Sequence, residues 1–392
     1  MKVLKIIIFD GSFETTPFIN RLVKGLAVRH QVYILGFNEK ISQPLINVNY
    51  VSLGSNQNKF KFFITAITSA FGSREFNTIH STLKKLLKGD RRGLQQQHLD
   101  IALKKISPDI VHLQWPSVIP WFEEVLLQQK IPVVLSQRGF HSNVRPFVDK
   151  ENFNYLQKWF PKIAGFHSVS KAIQINGDKI WDSSEKLNSV VYTGLPLRKI
   201  IYSDNYPVSK SVKILSIGRA HWIKGYDYAL HTCVILKEKN ISFQYKIIGG
   251  AGDEELQFLV HDLELADCVK LVSRTTQEEV FNIMRESSLL LLPSLEEGIP
   301  NVVVEAMAIG LPVISTNCGG VAELISDGVN GFIVPRRNSK AMAEAVVAFA
   351  DLSIEKILEM RAAARGKVEQ QHSEDQMVLG MEELYYEVLG GY

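Results

Sequence analysis

The sequence has few of the features that mark secreted disulfide proteins or membrane proteins. Only three of its 392 residues are cysteine, and no two of them form a Cys-x-x-Cys pair. This argues against a disulfide framework and favours a reducing compartment. The N-terminal apolar run Val3–Phe9 is too short for a signal peptide, and no run approaches the roughly 18 apolar residues of a membrane-spanning helix. We therefore expect a cytoplasmic protein.

Several motifs of metal and nucleotide chemistry are missing as well. The chain contains no Asp-x-Asp, no GxGxxG dinucleotide fingerprint and no GxxxxGK[ST] loop. No group of histidine, cysteine and carboxylate residues has metal-ligand spacing. We expect no metal and no cofactor, so that side-chain cations would have to neutralise any bound diphosphate. No nucleic-acid partner is expected.

The net charge of +3 hides a strong asymmetry between the two halves of the chain. Residues 1–200 hold 27 Lys+Arg against 14 Asp+Glu, a net charge of +13, whereas residues 201–392 hold 17 against 27, a net charge of −10. The length suits two domains of roughly 150–200 residues. The basic half favours an anionic surface or ligand, with a basic domain that is merely soluble as the alternative.

Short apolar runs alternate with helix-like stretches in both halves, which predicts two parallel sheets with crossover helices. The predicted strands are Val3–Phe9, Gln31–Leu35, Ile110–Leu113, Val133–Leu135, Lys213–Ile217, Tyr245–Ile248, Leu289–Leu292 and Pro312–Ser315. A polar linker is predicted at Tyr202–Lys210. We assign an α/β protein of two doubly wound domains, 1–200 and 201–374.

Residues 54–98 interrupt this alternation. They combine basic residues with aromatic and aliphatic ones, as in Lys59-Phe-Lys-Phe-Phe63 and around Lys84 and Arg91. Two interpretations stay open here. The region is either a basic amphipathic surface that touches a membrane or polyanion, or a helical insertion whose lysines are solvated.

The segment from Leu289 to Gly320 carries the strongest chemical signal. A buried strand leads into the loop Pro293–Gly298, and a helix with Pro300 in its first turn is predicted to end at about Ile309. Glu305 is a lone carboxylate in this apolar helix, so we expect it to be buried and to need a partner such as a ribose diol; it alternatively reaches solvent or caps a loop. The helix N-terminus suits an anion, with Glu297 just before it.

Other candidate residues follow the remaining strands. Gly218, Arg219 and Lys224 follow the first strand of the second half, where two cations would hold a diphosphate, although surface cations are common. His112 ends a predicted strand, which places it at the mouth between the lobes rather than in the core, with a structural strand-end histidine as the alternative. Arg138 and His141 follow the next strand.

Taken together, these segments resemble glycosyltransferase family 4, the retaining group 1-type enzymes with the GT-B fold. The Glu-x7-Glu motif is present as Glu297 and Glu305. It stands among Glu-Gly-x-Pro, Glu-Ala-Met-Ala-x-Gly-x-Pro-Val-Ile and Asp-Gly-x-Asn-Gly-Phe, and the likeness covers about residues 212–335. The first half is less similar, since Asp10-Gly-Ser-Phe replaces the family's glycine-pair loop. The resemblance implies two Rossmann-like domains that face each other across a cleft, with a helix at 375–392 crossing back to the first domain.

The resemblance also implies roles for individual residues. The catalytic set would be His112, Glu297, Arg219 and Lys224. The donor site would comprise Gly218, Arg219, Lys224, Arg274, Glu297, Gly298, Ile299, Pro300, Asn301 and Glu305. The acceptor side would comprise Gly11, Ser12, Arg138 and His141.

The implied activity is retaining transfer from a UDP- or GDP-sugar to a glycan or lipid-linked acceptor in cell-surface polysaccharide synthesis. From the charge of the first half we expect an anionic membrane surface as a partner, at the inner face of the cell membrane. The alternatives are an epimerase or phosphorylase of the same fold, or a two-lobed sugar-binding protein without catalysis.

Overall fold

The computed structural model describes residues 2–37, 41, 44–202, 206–207 and 209–390. The chain divides into two compact units, the first comprising Met1–Val169, Gln174–Gly194 and Glu374–Tyr392, and the second Ser170–Ile173 and Leu195–Ser373. Residues 203–205 and 208 of the predicted linker, and 391–392 of the predicted crossing helix, lie outside the described residues. No helix in the described part of the chain is long and apolar enough to cross a membrane.

The first unit is built on a seven-stranded sheet, entirely parallel, with the order β3-β2-β1-β4-β5-β6-β7. Its strands are β1 Lys5–Gly11, β2 Gln31–Gly36, β3 Val48–Ser52, β4 Ile110–Leu113, β5 Val133–Gln137, β6 Gly165–Ser168 and β7 Asn188–Val190. Its helices are α1 Pro17–Leu26, α2 Lys59–Gly72, α3 Phe76–Lys88, α4 Arg91–Ile106, α5 Glu123–Gln128, α6 Phe140–Asn143, α7 Arg145–Val148, α8 Lys150–Trp159 and α17 Glu374–Gly390, while α9 Lys171–Asp178 contains the boundary between the units. Short 3-10 turns span Pro116–Trp121 and Phe160–Lys162 in this unit, and a further one at Leu197–Lys199 lies near the start of the second unit's main segment.

The second unit holds a six-stranded parallel sheet with the order β10-β9-β8-β11-β12-β13. Its strands are β8 Val212–Ile217, β9 Phe243–Ile248, β10 Val269–Val272, β11 Leu289–Leu292, β12 Val313–Thr316 and β13 Phe332–Val334. Its helices are α10 Tyr226–Glu238, α11 Glu254–Asp262, α12 Gln277–Glu286, α13 Asn301–Ile309, α14 Val321–Leu324, α15 Ser339–Ala350 and α16 Ile354–Gln371, with a 3-10 turn at Trp222–Lys224.

The central strands of both units are apolar on both faces, as parallel sheets covered by helices require. In β1, Ile7 and Phe9 pack into one hydrophobic cluster while Ile6 and Ile8 pack into another on the opposite face. In β11, Leu289 and Leu291 likewise pack into one hydrophobic cluster, and Leu290 and Leu292 pack into another on the opposite face. Because successive side chains point to opposite faces, continuous apolar runs produce two cores per sheet.

The C-terminal helix α17 packs on α1 and β6 of the first unit. Gly25 of α1 permits this close approach, since a Cβ atom there would lie 2.2 Å from a methyl group of Val378. Met381 and Tyr385 of α17 are fully buried in the same hydrophobic cluster as Leu22 of α1. The last helix is therefore an integral part of the first unit's core.

Candidate functional site

The second unit places the predicted donor residues at the point where its strand order reverses. From β8 the chain builds outward through β9 and β10, and then returns to the other side of β8 with β11. Ligands of open parallel sheets bind beside such a switch point, at the carboxyl ends of the strands. The segment Gly218–Gly225 follows β8, and Pro293–Pro300 follows β11, so both predicted loops lie at this position.

The two loops are fastened to each other through their backbones. The amide of Leu295 donates a hydrogen bond to the carbonyl of Ile223 at 2.7 Å. Gly225 adopts a left-handed conformation with φ of 61°, and a Cβ atom there would lie 2.3 Å from the carbonyl oxygen of Pro293. From β12, Thr316 Oγ1 donates to the carbonyl of Ser294. The positions of these loops are thus set by backbone contacts that tolerate little displacement.

An ion pair joins the two candidate catalytic residues of these loops. Lys224 Nζ lies 2.7 Å from Glu297 Oε1, and the side chains are 21% and 15% exposed. Ser294 Oγ donates to the same carboxylate oxygen at 2.8 Å. A pair this shielded is screened less than a surface pair, and it holds an ammonium and a carboxylate side by side. A cation for phosphate and an acceptor for sugar hydroxyls are therefore available at one place.

A third loop, after β12, packs against the backbone at Glu297 and Gly298. Gly319 has a φ of 51°, and a Cβ atom there would lie only 1.7 Å from the carbonyl oxygen of Glu297. The amide of Gly320 donates to the carbonyl of Gly298 at 2.9 Å. Only glycine fits at position 319, because any side chain would displace the backbone that carries Glu297.

Helix α13 begins at Asn301 with Pro300 as its N-cap and ends where Gly310 turns left-handed with φ of 87°, so the predicted helix and its end are confirmed. Pro300 makes no side-chain capping hydrogen bond to this N-terminus. The expectation that Glu305 is buried is wrong. Glu305 shares a partly exposed side of the helix with Asn301 and Val302, and its carboxylate accepts a hydrogen bond from Gln277 Nε2 at 3.2 Å.

The remaining donor candidates differ in their exposure. Arg219 and Arg274 are both exposed side chains, after β8 and β10 respectively. Desolvation, together with the charges of Arg219 and Lys224, lowers the pKa of His221 between them. Gly298 is buried, and Ile299 packs against the second unit's core. The loop after β8 thus concentrates positive charge beside Glu297.

In the first unit, His112 belongs to a buried chain of hydrogen bonds. Its Nδ1 lies 2.7 Å from the Tyr385 hydroxyl, and its Nε2 lies 2.7 Å from Ser136 Oγ, which in turn lies 2.8 Å from His167 Nδ1. The chain ends at the carbonyl of Val191, 2.9 Å from His167 Nε2.

The carbonyl at the end of this chain determines the direction of every bond in it. A carbonyl only accepts, so His167 carries its proton on Nε2 and accepts from Ser136 through Nδ1. Ser136 then accepts from His112 Nε2, and the Tyr385 hydroxyl donates to His112 Nδ1. Both histidines are neutral, and desolvation lowers the pKa of His112 well below its ordinary value and that of His167 to about 3.

The expectation that His112 lies at an open mouth rather than in a core is therefore wrong. Its side chain is 0% exposed, because α17 covers β4 and both ring nitrogens are bonded inside the first unit. The sequence position at a strand end was correct, but the covering helix comes from more than 270 residues later. Its catalytic role stays a prediction.

Arg138 follows β5 and lies beside this neutral network. Its guanidinium stacks on the ring of Phe18 at 4.5 Å and approaches Ser136 Oγ at 3.4 Å and His167 Nδ1 at 3.5 Å. Desolvation lowers its pKa to about 9. Its buried Nε has no hydrogen-bond partner within the described residues. Within the part of the chain that the structure describes, the contacts of this desolvated cation thus include no acidic side chain.

The other acceptor-side candidates lie on neighbouring loops of the same unit. Gly11 ends β1 with φ of 90°, and the amide of Ser12 donates to Asp10 Oδ1 at 2.8 Å. Desolvation raises the pKa of Asp10 to about 6. His141 is half-buried beside Trp115, with ring centroids 6.2 Å apart, and desolvation lowers its pKa.

Sequence reasoning missed several of these contacts. Ser294 and Gln277, which bind the two motif glutamates, were not singled out, and neither were Ser136 as a link between histidines, His167 or Tyr385. Ser294 was detectable, since it lies three residues before Glu297 in the same loop. Tyr385 carried no local signal, because its partner His112 is remote in sequence.

The parallel sheets, each with a reversal of strand order, define two Rossmann-like domains, and solved structures show the same architecture. Sucrose-phosphate synthase from Thermosynechococcus elongatus is similar over 99% of this chain and 100% of its own, with a TM-score of 0.77 and 15% identity. Anabaena Alr3699/HepE in complex with UDP-glucose is similar over 99% and 100%, with a TM-score of 0.72 and 16% identity. The predicted GT-B fold class is confirmed.

Sequence comparisons point to a narrower class for the second half of the chain. Residues 201–367 match the family described as Glycosyl transferases group 1. The amylovoran biosynthesis glycosyltransferase AmsK of Erwinia amylovora is 36% identical over 193 residues, which are 47% of this chain and 47% of that protein. The chain thus spans about half the length of this curated relative.

Proposed function

We propose that this protein is a retaining glycosyltransferase that moves a sugar from a nucleotide-diphosphate sugar to a glycan or lipid-linked acceptor. The observation that carries the proposal is the Lys224–Glu297 pair at the switch point of the second unit, 2.7 Å apart and shielded from solvent. The group 1 match over residues 201–367 covers this same site. The solved HepE complex supports UDP-glucose as the kind of donor, since its chain has the same fold.

In the proposed donor site, positively charged and negatively charged residues bind different parts of the donor. Arg219 and Lys224 bind the diphosphate, helped by the N-terminus of α13, to which Pro300 makes no side-chain cap, while Glu297 accepts hydrogen bonds from the hydroxyls of the transferred sugar. Glu305 accepts hydrogen bonds from the ribose hydroxyls. Gln277 orients the Glu305 carboxylate, because its Nε2 donates to one carboxylate oxygen at 3.2 Å. Arg274 lies near the base. Neither a metal nor a cofactor is required in this arrangement.

The proposed reaction breaks the bond between the sugar's anomeric carbon and the donor phosphate oxygen. The acceptor hydroxyl oxygen forms the new bond on the same face, and its proton passes to the departing phosphate. Negative charge grows on that phosphate as the bond breaks. Arg219 and Lys224 therefore stabilise the transition state more than the bound donor, which is the condition for catalysis.

The proposed acceptor carries a negative charge. Arg138 is desolvated, its Nε has no hydrogen-bond partner within the described residues, and its other contacts are neutral. Placing an anion against such a guanidinium offsets the cost of burying its charge. A phosphate or carboxylate on the acceptor meets this requirement. Production of a cell-surface polysaccharide is consistent with AmsK, whose name states amylovoran biosynthesis.

The donor assignment is tested by Arg219→Ala and Lys224→Ala, with Lys239→Ala as a control at an exposed lysine outside these loops. Titration with UDP-, GDP- and ADP-sugars, followed by thermal shift, is expected to show one donor class that raises the melting temperature with concentration. Each site variant is expected to weaken donor binding by about tenfold or more, since a charge-assisted hydrogen bond contributes about 1.5–3 kcal/mol. Unchanged donor affinity in both variants would overturn the assignment. NMR of the product's anomeric proton tests retention separately.

A further inference from the structure

Helices α2 and α3 of the first unit expose a set of large apolar side chains. Their exposed fractions run from 44% to 90%, whereas most large apolar side chains of the unit's sheet are buried. The exposed residues are Phe60, Phe63, Ile64 and Phe71 of α2, and Phe76, Leu83 and Leu87 of α3. We call this set the apolar face.

The apolar face has helical periodicity in both helices. In α2, Phe60, Ile64 and Phe71 are separated by four and seven residues, and in α3 Phe76, Leu83 and Leu87 are separated by seven and four. Such spacing places the side chains of each helix along one stripe. Each helix therefore carries a continuous exposed stripe rather than scattered surface residues.

The opposite side of these helices is already occupied. Phe62 and Ala66 of α2 form a small buried cluster with Leu94 of α4, and Leu86 of α3 packs against it. Lys85 donates to Gln97 Oε1 of α4 at 3.0 Å and so does not join the apolar face. The sides that turn away from α4 are left with apolar residues that nothing in the described chain covers.

Basic side chains accompany the apolar face. Residues 59–88 contain Lys59, Lys61, Arg74, Lys84, Lys85 and Lys88 against the single acid Glu75, a net charge of +5. All of these lysines and the arginine except Lys85 are exposed. The acid does not offset them locally, because its carboxylate lies 3.4 Å from Lys104 Nζ. An apolar stripe edged by basic residues is the pattern of a helix that lies in a lipid headgroup region.

We propose that α2 and α3 dock this protein on the surface of an anionic lipid bilayer. Phe60, Phe71 and Phe76 enter the boundary between headgroups and acyl chains, and Lys61, Lys84 and Lys88 contact anionic headgroups. The charge pattern favours lipid over a second copy of the chain, because two such faces would bring net charges of +5 together. The argument for docking uses only the apolar face and its basic residues, and it does not depend on the proposed transfer reaction. If the protein docks on the bilayer, it lies where a lipid-linked acceptor would be.

The test is co-sedimentation of the full chain with vesicles. The probes are phosphatidylcholine vesicles with and without phosphatidylglycerol, at about 0.1 M and about 1 M salt, where the Debye length falls from about 10 Å to about 3 Å. We expect binding to the anionic vesicles only, weakened by high salt. Phe71→Ser with Phe76→Ser is expected to weaken it by about tenfold or more, and so is Lys84→Glu with Lys88→Glu.

Matched controls lie in the second unit. Phe258→Ser removes an apolar side chain that is 63% exposed on α11, and Lys239→Glu with Lys270→Glu reverses two exposed lysines. Both are expected to bind vesicles as the wild type does. All variants should keep the wild-type melting temperature, since the substituted side chains are exposed.

Three results would overturn the docking proposal: no binding to anionic vesicles, equal binding by wild type and face variants, or a concentration-dependent dimer that only the face variants abolish. Donor-induced thermal shift in the same preparations separates this proposal from the proposed function. Donor binding without vesicle binding removes the docking alone, and vesicle binding without donor binding removes the transferase alone.

Discussion

At the scale of single residues, burial decides the charge state of the candidate site's ionisable groups. Asp10, at the carboxyl end of β1, has a pKa raised to about 6 because its half-buried carboxylate is desolvated. His112 and His167 are held neutral by the same effect acting on bases. Groups with shifted pKa values cluster at functional sites, and these three lie on strands β1, β4 and β6 of one sheet, within four adjacent strands.

We predict that Asp10→Asn stabilises the protein at neutral pH. The folded-state pKa lies above the ordinary value, so the folded state binds the extra proton and wild-type stability falls as pH rises from about 4 to about 6. Asparagine can still accept the hydrogen bond from the Ser12 amide. The free energy of unfolding in urea should rise by about 1–2 kcal/mol at pH 7 and change little at pH 4. A variant less stable than wild type at pH 7 would contradict this.

At the scale of elements, the loops of the second unit are positioned by glycines whose neighbours are backbone atoms. Gly319 is the strictest of them, because its missing side chain leaves room for the carbonyl of Glu297. Gly225 has the same relation to Pro293. Three loops are thereby locked into one arrangement before any ligand binds, which lowers the entropy lost on binding.

We predict that Gly319→Ala weakens donor binding by at least about tenfold, because a shift of about 1 Å in a positioning group is enough to cost that much. Gly328→Ala is the matched control. It also has a positive φ, of 71°, but a Cβ atom there would meet nothing within 4 Å. Both variants bear the strain of an alanine in the left-handed conformation, but only Gly319→Ala also clashes with the carbonyl of Glu297. Comparing the two donor affinities by calorimetric titration therefore separates the effect of the clash from that of the strain. Equal donor affinity in the two variants would exclude a role for the close approach.

The helix α17 is tied to the first unit's sheet by a buried hydrogen bond as well as by packing. We predict that Tyr385→Phe lowers the free energy of unfolding by about 1–3 kcal/mol, since His112 Nδ1 loses its donor in a buried site. Tyr386→Phe provides the comparison. Its hydroxyl donates to the carbonyl of Lys2 at 2.8 Å in an exposed position, where water can replace it. Urea unfolding should show the smaller loss for position 386, and the reverse order would contradict the prediction.

At the scale of the whole molecule, charge is divided between the halves of the chain. The net charge of +13 in residues 1–200 includes the +5 of residues 59–88, and the net charge of −10 in residues 201–392 coexists with the cations Arg219 and Lys224. An anionic surface therefore attracts the first half of the chain, and the two proposed donor cations act only locally. A difference of this size favours one orientation of the molecule at a charged surface.

The sequence by itself determined the two parallel sheets and the positions of the loops that carry the candidate donor residues. Strands such as Leu289–Leu292 and Ile110–Leu113 were predicted with their observed bounds, because runs that are apolar on both faces fit only covered sheets. The Glu297-to-Glu305 spacing and the glycine after Ile309 are local signals, and such signals can be recognised in the sequence without knowing the fold.

The tertiary structure alone decided what covers each side chain. His112 is buried because α17 packs over it and places Tyr385 against its ring. Glu305 is only half-buried because one side of α13 is partly exposed to solvent. Lys224 and Glu297 meet across 73 residues of sequence, and the apolar face of α2 and α3 is exposed because their other sides pack on α4. Burial depends on contacts between distant segments, and the order of residues along the chain does not specify which segments meet.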